Sequence, residues 1–188
     1  AAAVALLEWN NPGTIGGLTA GGKGLASLFQ SVTLRTAGFA SFDQNALRDV
    51  TKAVCDVLMF VGGSSGSTAG GVKTVTVGVL VLAAVGTARG RTHITAFKRT
   101  IPQSAVANAG AIALLVLTLG FLGAGAITVL DGVSFENAIY ETISALCTVG
   151  LTTGITSSLG TASQIILIVL MFQLGIELDR QAFAGVFR

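Results

Sequence analysis

Two stretches of this chain repeat in register. Thr36 and Gly38 are matched by Thr148 and Gly150, and Leu58-Met59-Phe60 by Leu170-Met171-Phe172, each pair 112 positions apart. In both copies a short, mildly apolar segment precedes Thr-x-Gly and a longer apolar segment follows it. A fold built on this chain therefore has to place the same turn twice. Repeats related by an axis bring equivalent turns together around a line.

The surroundings of the turns are apolar. Charged residues make up 11% of the chain and hydrophobic residues 52%, with a mean hydropathy of +0.78, whereas about 25% charge is usual for a soluble domain. Runs such as Ala111–Leu119 and Ile165–Phe172 suit lipid or other apolar helices. The 25 glycines stand beside only 2 prolines, a balance that points to close backbone approach inside a membrane bundle. A net charge of +2 gives no footing for nucleic acid, and Cys55 and Cys147, both in apolar stretches, read as two buried thiols. The chain opens inside an apolar stretch with no signal-peptide pattern, so we expect a piece of a longer protein.

Along the chain, Ala1–Leu7 reads as the end of a membrane helix, stopped by Glu8–Asn11, Pro12 and Gly13. Gly21–Thr33 is too short to span a bilayer and suits a re-entrant helix. Ala46–Val61 and Val72–Ala88 are helical in pattern, broken by Gly62–Gly71; together they exceed one straight crossing. Arg89–Arg99 carries four basic residues and no acid, which makes it cytoplasmic, and Asp131–Glu141 carries three acids and no base, which suits the outer side. Gln103–Leu130 and Gly160–Leu178 are the remaining spans, with short Ser134–Cys147 between them.

The turns Thr36-Ala37-Gly38-Phe39 and Thr148-Val149-Gly150-Leu151 have the chemistry to hold a dehydrated monovalent cation. Backbone carbonyls from several loops can replace its water, glycine permits the backbone angles that aim them, and threonine adds a hydroxyl. Short helices ending at the turns would point their negative ends at the ion. The break, Gly62, Gly63, Ser64, Ser65, Gly66, Ser67, Thr68, Ala69, Gly70 and Gly71, with Lys73 just beyond, lies mid-span and reads as an intramembrane gate. A different class remains open here: Gly66–Thr74 is similar to a phosphate-binding P-loop, although Val72 separates glycine from Lys73. A noncatalytic membrane scaffold is the third reading.

Together these residues resemble the Trk/Ktr/HKT superfamily of potassium transporters, most closely the C-terminal half of the membrane subunit of its bacterial Ktr type. The resemblance is carried by Arg35-Thr36-Ala37-Gly38-Phe39, the Gly62–Lys73 run, Ala96-Phe97-Lys98-Arg99 and Thr148-Val149-Gly150-Leu151-Thr152-Thr153-Gly154. It implies an all-α membrane protein of repeated helix–pore helix–helix units around a pseudo-fourfold ion pore. Residues 1–100 would be the third pore repeat, its first helix mostly missing, plus a cytoplasmic loop, and 101–188 the fourth. It further implies potassium uptake rather than enzymatic chemistry, with K+ at the filter carbonyls and no cofactor in this chain. A multi-pass location in the bacterial plasma membrane, a homodimer and a cytoplasmic RCK-type nucleotide-binding ring, KtrA-like, follow from the same resemblance. The sequence departs from the family after Phe172: the family's pore-facing arginine would fall at Gly175, and Arg180 lies five residues further on.

Overall fold

Helices form where the apolar runs lie, and their ends are set by what the backbone meets. The structure, a computed structural model, describes residues 1–64, 70–90, 95–96 and 99–172. Its helices are α1 (Ala2–Glu8), α2 (Ala20–Thr33), α3 (Asp49–Phe60), α4 (Thr74–Ala88), α5 (Gln103–Asp131), α6 (Phe135–Leu146) and α7 (Thr161–Phe172), with a 3-10 turn at Ile155–Ser158. The expected all-helical architecture holds, apart from one two-residue antiparallel pair in the basic loop, β1 (Thr95–Ala96) with β2 (Arg99–Thr100). Residues 173–178 of the expected last span lie outside the described residues.

Two boundaries differ from expectation for local reasons. Helix α3 starts at Asp49 rather than Ala46, because the Ala46 and Leu47 amides turn back to the carbonyls of Asp43 and Gln44. Helix α4 starts at Thr74 rather than Val72, because Val72 forms a parallel bridge with Val61.

Among the described residues one helix, α5, is long and apolar enough to cross a membrane. Its 29 residues extend about 43 Å at 1.5 Å per residue, beyond a hydrocarbon core of about 30 Å. Only 33% of its most apolar window is buried against the protein, and Leu114, Phe121, Leu122 and Val129 are all more than half exposed. A soluble core helix would cover such side chains.

Two helix starts are closed by a carboxylate in the same way. Glu8, the last residue of α1 and fully buried, accepts from the backbone N–H of Arg48, the N-cap of α3, at 3.1 Å. Asp131, the last residue of α5, accepts from the N–H of Gly160 at 3.0 Å, just ahead of α7. Arg48 and Gly160 are again 112 positions apart. A carboxylate at a helix N-terminus satisfies an orphan donor and favours the helix dipole. Glu8 has further donors in Asn11, Thr14 and Thr51. The acids that read as an outer-side charge signal are thus structural partners, and Glu136 likewise pairs with buried Lys52 at 3.1 Å.

Helix α6 packs against α5 and α3. The main core joins Leu34 and Leu47 to Met59, Tyr140, Leu146 and Val149. The two cysteines are buried and free, as expected. Close packing of α5 rests on Gly123, where a Cβ would stand 2.8 Å from Leu170 Cδ1 and 3.3 Å from Thr142 Cγ2, whereas Gly125 faces open space. Gly123→Leu is therefore expected to lower stability by about 1–3 kcal/mol through overpacking. Gly125→Leu should leave it unchanged or raise it by up to about 1 kcal/mol through helix propensity. Thermal unfolding midpoints in detergent check the contrast.

Candidate functional site

The two Thr-x-Gly turns share a backbone conformation that ordinary residues avoid. Thr36 and Thr148 have φ of 65° and 53°, and they are the two non-glycine residues with positive φ among the described residues. Gly38 and Gly150 follow with φ of 75° and 87°. For a β-branched residue such an angle is a true outlier and persists only where surroundings over-determine it. Its recurrence at the positions matched by the 112-residue offset makes the likeness of the turns conformational as well as sequential.

Each turn follows a short helix and is held by a hydroxyl from that helix. After α2, Thr33 Oγ1 donates to Phe39 O at 2.7 Å and accepts from Phe39 N at 2.8 Å. After α6, Ser144 Oγ donates to Leu151 O at 2.6 Å. Phe39 and Leu151 are matched positions, yet the clamping hydroxyls are not, since Thr33 aligns with Ala145. The Ala37 and Gly38 amides both point to Thr33 O, and the Val149 amide to Ser144 O. These bonds leave the end of each turn fixed without a strand partner.

The turns meet. A Cβ on Gly38 would collide with the carbonyl oxygen of Val149 and stand 3.5 Å from Gly150 Cα, while one on Gly150 would stand 3.8 Å from Gly38 Cα. Glycine at position 38 is thus required twice, by its angle and by its neighbour.

The described ends of the Gly62–Gly71 break lie against the second turn. Gly62 N donates to Val72 O at 3.0 Å, Val72 N to Phe60 O at 3.1 Å and Thr74 N to Gly63 O at 3.1 Å. This staple brings Gly62 onto Gly70 and Gly71. A Cβ on Gly70 would strike Thr148 Oγ1 and come within 2.5 Å of Cys147 O, and one on Gly71 would lie 3.3 Å from Cys147 Cβ. Ser64 is exposed, Lys73 is half-buried at the N-cap of α4, and Ser65, Gly66, Ser67, Thr68 and Ala69 lie outside the described residues.

Sequence reasoning missed the polar supports behind the turns. Glu141 on α6, 5% exposed, accepts from Thr152 Oγ1 at 2.6 Å, Thr153 N at 2.8 Å, Thr153 Oγ1 at 3.0 Å and Thr156 Oγ1 at 2.8 Å. Behind the first turn fully buried Gln30 donates to Gln44 Oε1 at 2.6 Å, which also accepts from Tyr140 O–H at 3.1 Å. The available signal was polar residues on otherwise apolar short helices, each followed at 11 to 15 residues by further polar groups.

The family of cation transport proteins designated TrkH matches residues 2–175. The chain is 41% identical over 169 residues to the Ktr system potassium uptake protein B of Bacillus subtilis, covering 90% of this chain and 38% of that protein. It is 39% identical over 168 residues to the Ktr system potassium uptake protein B of Vibrio alginolyticus, covering 88% and 36%. It is 37% identical over 150 residues to the potassium/sodium uptake protein NtpJ of Enterococcus hirae, covering 78% and 33%. The chain thus spans less than two-fifths of the length of these relatives.

Contact between Gly70 and the second turn can be tested without any assay of activity. Cys147 has no exposed surface and lies under this contact. A displacement costing about 1–3 kcal/mol corresponds to roughly five- to 150-fold greater opening. Gly70→Ala should therefore raise the rate of Cys147 alkylation about tenfold, read by mass spectrometry of its peptide, with Gly78→Ala, which lies within α4 and has open space around it, as the control.

Proposed function

Because this chain belongs to the TrkH family of cation transport proteins, we propose that it lines part of a selective, gated pore for potassium uptake across a bacterial plasma membrane. The observation that carries this reading is the meeting of two turns with the same left-handed Thr and Gly, which sets Gly38 against the Val149 carbonyl. Oxygens gathered in this way can replace the water of a dehydrated cation. Thr36, Ala37, Gly38 and Phe39 form one filter segment, and Thr148, Val149, Gly150 and Leu151 another. Residues 1–100 are then the third pore repeat with its cytoplasmic loop and 101–188 the fourth, with two more repeats completing the ring.

In this reading the membrane is crossed several times, and non-helical backbone at membrane depth is sustained because it is buried or lines a water-filled path. The Gly62–Gly71 loop, with Lys73 at its far end, is the gate. The close approach of Gly70 to Cys147 and Thr148 supports this role, since a gate has to dock against the filter in one of its two arrangements. The basic loop faces the cytoplasm, and the assembly is a homodimer under an RCK-type nucleotide-binding ring; two relatives are named as parts of a Ktr system. The P-loop reading lacks support, because helix α3, not a strand, precedes the glycine run.

Potassium-limited growth of an uptake-deficient bacterium tests the filter role, using the complete gene product that carries this chain. The parent should rescue growth, and Gly38→Ser should lose its preference for potassium over sodium. Equal rescue with equal preference would reduce the glycines to turn residues and favour a membrane scaffold.

A further inference from the structure

Glu141 is the one buried carboxylate among the described residues that touches the chain just beyond a Thr-x-Gly turn. Its four donors come from Thr152, Thr153 and Thr156, the first of them immediately after Leu151. Three of the partners are hydroxyls and one is a backbone N–H, and a carboxylate, with about four lone-pair sites, can accept from all of them. Charge-assisted bonds of this kind are roughly twice as strong as neutral ones. Ser144, one helical turn further along α6 and on the same face, holds Leu151 O. Two side chains of one helix thus clamp the return segment from Leu151 to Thr156.

The carboxylate also has a place in the wall of a cavity. A cleft of about 550 Å³ is lined by Glu141 together with Thr148, Gly150, Leu151, Thr152 and Thr156. A buried negative charge in the wall of the same cleft as the turn adds its own attraction for a cation there. The first unit holds its own return segment with a neutral pair, Gln30 and Gln44. The charge is therefore particular to the second unit and is not a requirement of the fold.

We propose that Glu141 is a positioning residue of the cation path: through Thr152, Thr153 and Thr156 it sets the carbonyl directions of Thr148–Leu151, and its charge favours a cation there. This inference rests on the filter reading above and adds to it a determinant of affinity and selectivity outside the turns themselves.

The test compares the parent, Glu141→Gln, Glu141→Asp and Gly150→Ser as complete gene products, by rubidium uptake and its competition by sodium, with membrane abundance measured in parallel. Glu141→Gln keeps the shape and one acceptor oxygen. It should raise the half-saturation concentration for rubidium about tenfold and reduce the preference over sodium, at unchanged abundance and with a smaller change in maximal rate. Glu141→Asp, which keeps the charge, should recover part of the affinity. Should Glu141→Gln fail to accumulate, Thr156→Val, which removes the donor to Oε2 together with the Thr156 hydroxyl's bond to Thr152 Oγ1, carries the same expectation at about threefold. Unchanged half-saturation and selectivity in the accumulating variant, with Gly150→Ser still losing selectivity, would overturn the role of Glu141 while leaving the filter intact. Unchanged selectivity in Gly150→Ser as well would overturn the filter reading itself.

Discussion

A backbone that leaves helical geometry in an apolar setting must find partners for its N–H and C=O groups without help from water. The rest of this structure is organised around that constraint at two places, Thr36–Phe39 and Thr148–Leu151. Left-handed angles at Thr36 and Thr148 turn each chain sharply after its helix. Hydroxyls of Thr33 and Ser144 then satisfy the carbonyls at the far end. Behind the turns stand buried polar supports, Gln30 with Gln44 on one side and Glu141 with its threonines on the other. Apolar helices surround these groups and fix them.

The same logic explains why the two turns are alike in backbone and unlike in supporting side chains. What recurs is geometry: the φ pattern, the accepting residue of the turn, and the carboxylate that caps the following helix. The groups that achieve it have drifted. The clamp moves from Thr33 to Ser144, off by one in register, and the support changes from a neutral amide pair to a carboxylate. Gly70 lies against Cys147 and Thr148 and Gly62 against Gly70 and Gly71, approaches that a Cβ at position 62 or 70 would block.

Much of this was legible in the sequence. The 112-residue offset found both turns, glycine found the left-handed positions at 38 and 150, and apolar runs found the helices to within a few residues. The left-handed threonines were not legible, because β-branched residues are poor predictors of positive φ. Glu141 and Asp131 were read as part of an outer-side charge signal, since an acid in an apolar stretch gives no sign of the distant donors that will face it. The start of α4 was misjudged for a similar reason: Val72 is a good helix residue locally, but a pairing with Val61 across the glycine loop claims it. Long-range hydrogen bonds decided each of these cases, and no local propensity encodes them.

The central claim is that carbonyls of the two turns share one cation. Rubidium scatters anomalously and substitutes for potassium, so crystals of the complete gene product grown in rubidium would locate it directly. The account predicts an anomalous peak within coordinating distance of carbonyl oxygens from both Thr36–Phe39 and Thr148–Leu151, lost when sodium replaces rubidium. A peak elsewhere along the path, with none between these turns, would contradict it.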